Sequence, residues 1–361
     1  MLAVYVSGHG YGHAARTAEV LREVRRRSSR LTIAVRTTAP AFLFESAVGA
    51  PLTVEPVECD VGLVQQDALV IDEVASAAAW RAFQARWDER VETEAGWLRG
   101  SQARLVLGDI PPLAFAAAAV AGTPAVAFTN FSWDWIYRHL AAREAALGEA
   151  ATRAREAYGT ADLLLRLPFS GDLSAFRRVL DLPLVARRPR VAKAEARRRL
   201  GLDARPAVLL SFGGIGLPGL EPGRFSSLRA CQLLLTGTSA DGPIPSNLRR
   251  LGGDELAAVG LGYVDLVGAA DVVVSKPGYG IVSDCIGART RLVYTDRGDF
   301  PEYPVLVDQM PHYLPTAFVP NHDLREGRIG AAVQAVLGRS FPDPPRTDGA
   351  SVAAEELLAR L

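Results

Sequence analysis

Short, continuous apolar runs, each followed by a glycine or a polar turn and then by a helix-like stretch, constrain this chain more than any other feature. LAVYV at 2–6, LTIAV at 31–35, LVLGD at 105–109 and PAVAF at 124–128 mark the first half. Between them lie a helical segment through Leu21, a long one holding Trp80, Trp87 and Trp97, and the alanine-rich AFAAAAVAG. AVLLSF at 207–212, QLLLTG at 232–237, DVVVS at 271–275 and RLVYT at 291–295 repeat the alternation in the second half. Strands that are apolar along their whole length need cover on both faces, and strands joined by helices run parallel, so the pattern predicts two doubly wound α/β units. Residues 167–190, with Pro168, Pro183, Pro189 and a cluster of arginines, break the rhythm and read as a linker. The expected division is therefore a first domain over 1–166, the linker, a second domain over 191–345 and a C-terminal helix over 346–361 that packs back on the first domain. At 361 residues, 49% of them hydrophobic, the chain suits two cores.

Charge and cysteine usage narrow the class of partner. Lys plus Arg equals Asp plus Glu at 40 each, so no overall basic field gathers nucleic acid or an anionic membrane, and an anionic ligand must be bound locally. Cys59, Cys231 and Cys285 are far apart and form no C-x-x-C pair, which fits a reducing compartment. No run approaches the ~20 apolar residues of a spanning helix, and the expectation is a soluble, cytoplasmic protein without a transmembrane anchor. Its oligomeric state is not legible.

Open parallel sheets bind ligands beyond the carboxyl ends of their strands, and the unusual motifs lie there. SGHGYGHAARTAEVL, residues 7–21, follows the first strand and packs glycines and two imidazoles into a tight turn before a helix. DVVVSKPGYGIVSDCIGA, residues 271–288, carries a strand through a Gly-Tyr-Gly turn into a helix. There the glycines Gly278 and Gly280 admit backbone N–H groups to a phosphate, the helix N-terminus adds partial positive charge and Lys276 a full one. Asp284, early in that helix, is placed to accept hydrogen bonds from ribose hydroxyls. GGIGLPG, 213–219, formally matches G-x-G-x-x-G, but Pro218 interrupts the helix that fingerprint needs; Gly213 and Gly214 read equally as room for a ligand or as a plain turn.

Taken together, GHGYGHAARTAEVL, GDIPPLAFAAA, FTNFSWDWIYRHL, LLSFGG and SKPGYGIVSDCIG resemble, in the same order across almost the whole chain, the N-terminal glycosyltransferase-like domain of plant L-arabinokinases. More distantly the chain is similar to GT-B glycosyltransferases such as the peptidoglycan N-acetylglucosaminyltransferase and the UDP-glycosyltransferases. N-F-S-W-D is the most specific block. The Gly-Leu-Ser-rich phosphate loop of a sugar kinase has no match in these residues, so the resemblance implies no kinase activity. It implies a GT-B fold, two facing Rossmann-like domains with a cleft between, and transfer of a sugar from a nucleoside-diphosphate sugar to an acceptor hydroxyl or amine, with inversion. A UDP-sugar is favoured over a GDP- or dTDP-sugar, and no other cofactor is implied.

The resemblance also lends roles to positions. His13 matches the histidine that acts as base on the acceptor hydroxyl, and Asp109 the aspartate that orients it, a chemistry imidazole and carboxylate suit. On the donor side stand Lys276, Gly278, Tyr279, Gly280 and Asp284, with Asp299 and Glu302 of TDRGDFPEY toward the donor sugar. On the acceptor side stand Gly12, Asn130, Ser132, Trp133 and Asp134, together with His9, which either lines that site or bonds within its own loop. Neighbouring helical positions diverge, so at most one of Trp133 and Trp135 can face the acceptor. With no D-x-D motif, the leaving group is expected to be stabilised by Lys276 and the helix dipole, without a metal. A sugar-nucleotide epimerase or hydrolase, or a non-catalytic sugar-nucleotide binding domain, would share this architecture.

Overall fold

The computed structural model describes residues 1–66, 70–213, 217–237 and 242–361. Strands β1 (Leu2–Val6), β2 (Ile33–Thr37), β3 (Leu52–Pro56), β4 (Leu105–Asp109), β5 (Ala125–Thr129), β6 (Leu163–Arg166) and β7 (Val179–Asp181) form one sheet in the order β3-β2-β1-β4-β5-β6-β7. Strands β8 (Ala207–Ser211), β9 (Gln232–Thr236), β10 (Leu248–Arg250), β11 (Val272–Ser275), β12 (Arg291–Tyr294) and β13 (Thr316–Phe318) form a second, ordered β10-β9-β8-β11-β12-β13. Every pairing is parallel.

The apolar runs form strands because both of their faces are covered. Along β1, Leu2, Val4 and Val6 enter one core while Ala3 and Tyr5 enter the core on the opposite face. Along β8, Leu209 points to one side and Val208 and Leu210 to the other. β3, β6, β7, β10 and β13 escaped the sequence reading, and all lie at or near sheet edges, where burial on both faces is no longer required. β7 falls inside the expected linker: it pairs with β6, exposes Val179 and Asp181, and extends the first sheet through Asp181. The connection to the second unit therefore begins after residue 181 rather than 166.

The strand order reverses beside β1 in the first sheet and beside β8 in the second, which opens a crevice at the carboxyl ends of each. The loop after β1 needs its glycines. A Cβ on Gly8 would lie 1.9 Å from Thr38 Oγ1, and Gly10, at φ 80°, starts the helix Tyr11–Arg27 from a conformation other residues rarely adopt.

One apolar cluster runs through both units. It takes Val20 and Leu21 from the first helix, Leu184 and Val185 from the connection, Tyr279 and Val282 from the second unit, and Leu357 from the final helix. That final helix, Gly349–Leu358, lies against Tyr11–Arg27. Arg27 reaches Glu355 at 2.8 Å and donates to Ser351 Oγ at 2.6 Å.

Candidate active site

The register of the first sheet brings its two chemical groups together. Val6 pairs with Asp109 across β1 and β4, and the Ser7 amide donates to the Asp109 carbonyl at 3.2 Å, so the loop after β1 is pinned beside the end of β4. His13, on the first turn of the helix, places Nδ1 2.9 Å from Asp109 Oδ1. Asp109 is fully buried and receives three further bonds: Arg16 Nη2 to Oδ1 at 2.6 Å, Arg16 Nε to Oδ2 at 2.9 Å, and Thr17 Oγ1 to Oδ2 at 2.7 Å. Burial pushes this carboxyl up, but the charge of Arg16 and the hydrogen bonds from Arg16 and His13 outweigh it and hold Asp109 well below the usual carboxylate range. With the proton on Nδ1, the ring donates to the ionised Asp109 and its lone pair lies on Nε2. Among the described residues no group donates to that Nε2.

An aromatic wall flanks the pair. The His13 ring meets Phe131 edge-on at 5.5 Å, Phe131 meets Trp133 at 5.1 Å, and Trp133 meets His9 at 5.6 Å. Trp133 is completely buried and stacks on Tyr137, so neither face is open to a sugar. Its Nε1 instead donates to Asp60 Oδ2 at 2.8 Å, while Ser7 Oγ donates to Asp60 Oδ1 at 3.0 Å. Burial raises the Asp60 carboxyl against these two bonds. His9 is half-buried, with Nδ1 3.5 Å from the Leu63 amide. Burial first, and then nearby positive charges that include Arg297 and Lys276, lower His9 to about 3, so its ring is neutral at physiological pH. Ser132 is buried, 3.3 Å from the Asp172 carbonyl, and the buried Asp134 accepts from Arg155 at 3.1 Å. These two expected acceptor contacts thus serve the packing of the helix Trp133–Leu140.

Across the crevice, Lys276 follows β11 directly, and Gly278 caps the helix Tyr279–Ala288. A Cβ on Gly280 would sit 3.5 Å from the Gly12 Cα, so two glycine-lined helix N-termini face each other, one from each unit. Arg297, from the loop after β12, donates to the Pro277 carbonyl at 3.2 Å and to Glu302 Oε2 at 2.7 Å, which steadies the turn. Tyr279 is buried at the junction of the units, with Arg16 Cζ 5.1 Å from its ring centroid and its hydroxyl accepting from the Val185 amide at 3.3 Å.

The carboxylates expected at the donor are all engaged by protein. Asp284, 2% exposed, accepts from Arg187 Nε at 3.0 Å and Nη2 at 2.6 Å. Its side chain turns toward Arg187 of the connection between the units. Glu302, 4% exposed, accepts from Asn130 Nδ2 at 2.7 Å as well as from Arg297. Asp299 lies 2.9 Å from His139 Nε2 and pairs with Arg143, both of the first unit. Asn130 in turn accepts from Arg16 Nη1 at 2.6 Å. Gly213, at φ 79°, follows β8, and Gly214 lies outside the described residues.

Arg16, Asp60, Arg187 and Arg297 were missed in the sequence reading. For Arg16 a signal existed: it stands three positions after His13, on the same helical face. Asp60 lies in an aperiodic stretch, and Arg187 is one arginine among many in the connection.

No family model matches the chain. Over 87% of its residues it is 35% identical to L-arabinokinase of Arabidopsis thaliana, and it spans about 30% of the length of that relative. Among solved structures it is similar to the glycosyltransferase of kitacinnamycin, at 18% identity and a TM-score of 0.63, covering 99% of this chain and 95% of that one. CalG4, the calicheamicin glycosyltransferase, matches at 17% identity and a TM-score of 0.60 over 100% and 98% of the two chains. A UDP-glucosyltransferase from Polygonum tinctorium matches at 12% identity and 0.61 over 99% and 98%. Two parallel, doubly wound units that meet at their strand ends, superposed over nearly their full length on these enzymes, give the chain the GT-B glycosyltransferase fold.

Proposed function

We propose that the protein transfers a sugar from a nucleoside-diphosphate sugar, with UDP as the favoured nucleotide, to an acceptor hydroxyl or amine, by a single inverting displacement without a metal ion. The observation that carries the reading is the buried His13–Asp109 pair facing a lysine-bearing helix N-terminus across the crevice. His13 Nε2 takes the acceptor proton as the acceptor heteroatom bonds to the anomeric carbon. The bond from that carbon to the diphosphate breaks, and the leaving charge falls to Lys276 and the amides at Gly278 and Gly280. Asp109 holds the ring and stabilises the imidazolium as it forms. A cytoplasmic setting fits the three free, buried cysteines.

Incubation with a panel of nucleotide sugars, with and without hydroxyl acceptors and in EDTA, tests this reading. Release of the nucleoside diphosphate only when acceptor is present is the expected result. Release without acceptor would mean hydrolysis, a new sugar nucleotide epimerisation, and binding without turnover a sensing domain. Loss of turnover in EDTA that Mg²⁺ restores would assign the leaving group to a metal.

A further inference from the structure

Asp109 carries one charge into a site with no exposure to water, and something must balance it. Two groups are in position. Arg16 forks onto both carboxylate oxygens, and His13 touches one of them. Arg16 is itself buried, 5% exposed, and its third nitrogen is fixed by Asn130, so its orientation is set from two sides. Its Nη2 also lies 3.1 Å from His13 Nδ1. A second positive charge at that distance would be repelled by the guanidinium, in surroundings where little water screens the pair.

We propose that Arg16 is a positioning residue that serves as the counter-ion of Asp109, so that His13 rests as a neutral imidazole with its proton on Nδ1 and Nε2 bare. Without Arg16 the buried carboxylate would draw its counter-charge from the ring. His13 would then rest as imidazolium, hydrogen-bonded to Asp109 but unable to take a proton from an acceptor. The guanidinium thus lets one carboxylate orient the imidazole without protonating it. Asp60 from the loop after β3 and His9 from its own loop also act on or feel the ring electrostatically, and Arg297 and Lys276 of the second unit stand beside His9. Arg16 also reaches the second unit through Asn130 and Glu302, so the counter-ion is braced by the junction that forms the crevice.

This inference rests on His13 being the base of the proposed reaction, but its test needs no substrate. The chain holds five histidines, so imidazole ¹⁵N–¹H correlation spectra of labelled protein can be assigned by substituting each in turn. At pH 8 the parent is expected to show His13 with a protonated Nδ1 and an unprotonated Nε2. Arg16→Met is expected to show both nitrogens protonated at the same pH. Arg16→Lys, which keeps the charge, and the double variant Arg16→Met/Asp109→Asn, which removes both, are each expected to return a neutral ring. A role for Arg16 confined to stability would leave the His13 nitrogen shifts of folded Arg16→Met at parental values, and that result overturns the proposal. If Arg16→Met does not fold, the parent spectrum decides: a doubly protonated His13 at pH 8, or one with its proton on Nε2, overturns it equally. Neither result depends on whether sugar transfer is found.

Discussion

The two sides of the crevice treat their carboxylates differently. In the first unit the predicted aspartate, Asp109, points at the predicted histidine, and its other bonds come from the same helix. In the second unit, Asp284 is turned to Arg187, while Asp299 and Glu302 reach back to residues of the first. A pair on one strand end and one helical turn is fixed by local geometry; a carboxylate whose partner comes from a distant loop can be claimed by any arginine that arrives there. The first unit therefore holds its imidazole and carboxylate as a preformed pair, and the second a glycine turn whose acidic residues are bound to the connection and to the first unit.

That contrast is broken most directly at Asp109. Asp109→Ala leaves the Arg16 guanidinium buried without its partner, and loss of one member of such a pair costs about 3–5 kcal/mol. A marked fall in melting temperature is expected together with lost turnover. Unchanged stability would mean that Arg16 finds another anion.

Next comes His13→Ala, which leaves the Asp109–Arg16 pair whole. Turnover on a responsive sugar nucleotide and acceptor is expected to fall by ~10²–10⁴-fold, the usual worth of general-base catalysis. UDP affinity, read by calorimetry, stays at the parental level because Lys276 and the helix N-terminus lie across the crevice. A parental kcat would move the base elsewhere.

A smaller effect is expected on the donor side. Asp284→Asn and Arg187→Met should each lower stability, and the double variant should reveal a coupling of about 0.5–3 kcal/mol, as for residues in direct contact. UDP affinity should not change in either. If instead Asp284→Asn weakens UDP binding while Arg187→Met does not, the carboxylate holds the ribose and the contrast between the units collapses.

How much of this was legible follows the same division. Strands buried on both faces announced themselves as apolar runs, and with them the topology around the crevice. Edge strands such as β7, with Val179 and Asp181 exposed, had no run to show. The roles of His13 and Asp109 came from the resemblance, and the geometry brings the two together because the loop after β1 is pinned beside the end of β4. Glu302 was chosen by the resemblance and Asp284 by its place beside the glycine turn, and sequence order says nothing of which arginine reaches them. Helical geometry allowed at most one of Trp133 and Trp135 to face an acceptor; Trp133 is instead buried against Tyr137, one turn along the same helix, and bonded to Asp60 from a loop without periodicity.

The smallest expected effect concerns His9, the second imidazole of the opening turn. Burial and the nearby charges lower it to about 3, against an ordinary value near 6.5. Between those limits the unfolded chain takes up a proton at this position that the folded chain does not. Folding stability thus falls as pH drops from about 6.5 toward 3, with a slope from this group of at most about 1.4 kcal/mol per pH unit. Above pH 7 the ring is neutral in both states and contributes no slope. Asp109 acts on a different window: lowered below the usual range, it loses its stabilising charge only at pH values below that of an unfolded aspartate. Denaturant unfolding of the parent and of His9→Gln at pH 7.5, 6 and 5 separates the two. The variant is expected to lose less stability than the parent between pH 6 and pH 5, with a smaller change in their difference between pH 7.5 and pH 6. Parallel curves over the whole range would mean that His9 takes up its proton as readily folded as unfolded, and that its ring belongs to solvent rather than to the wall it shares with Trp133.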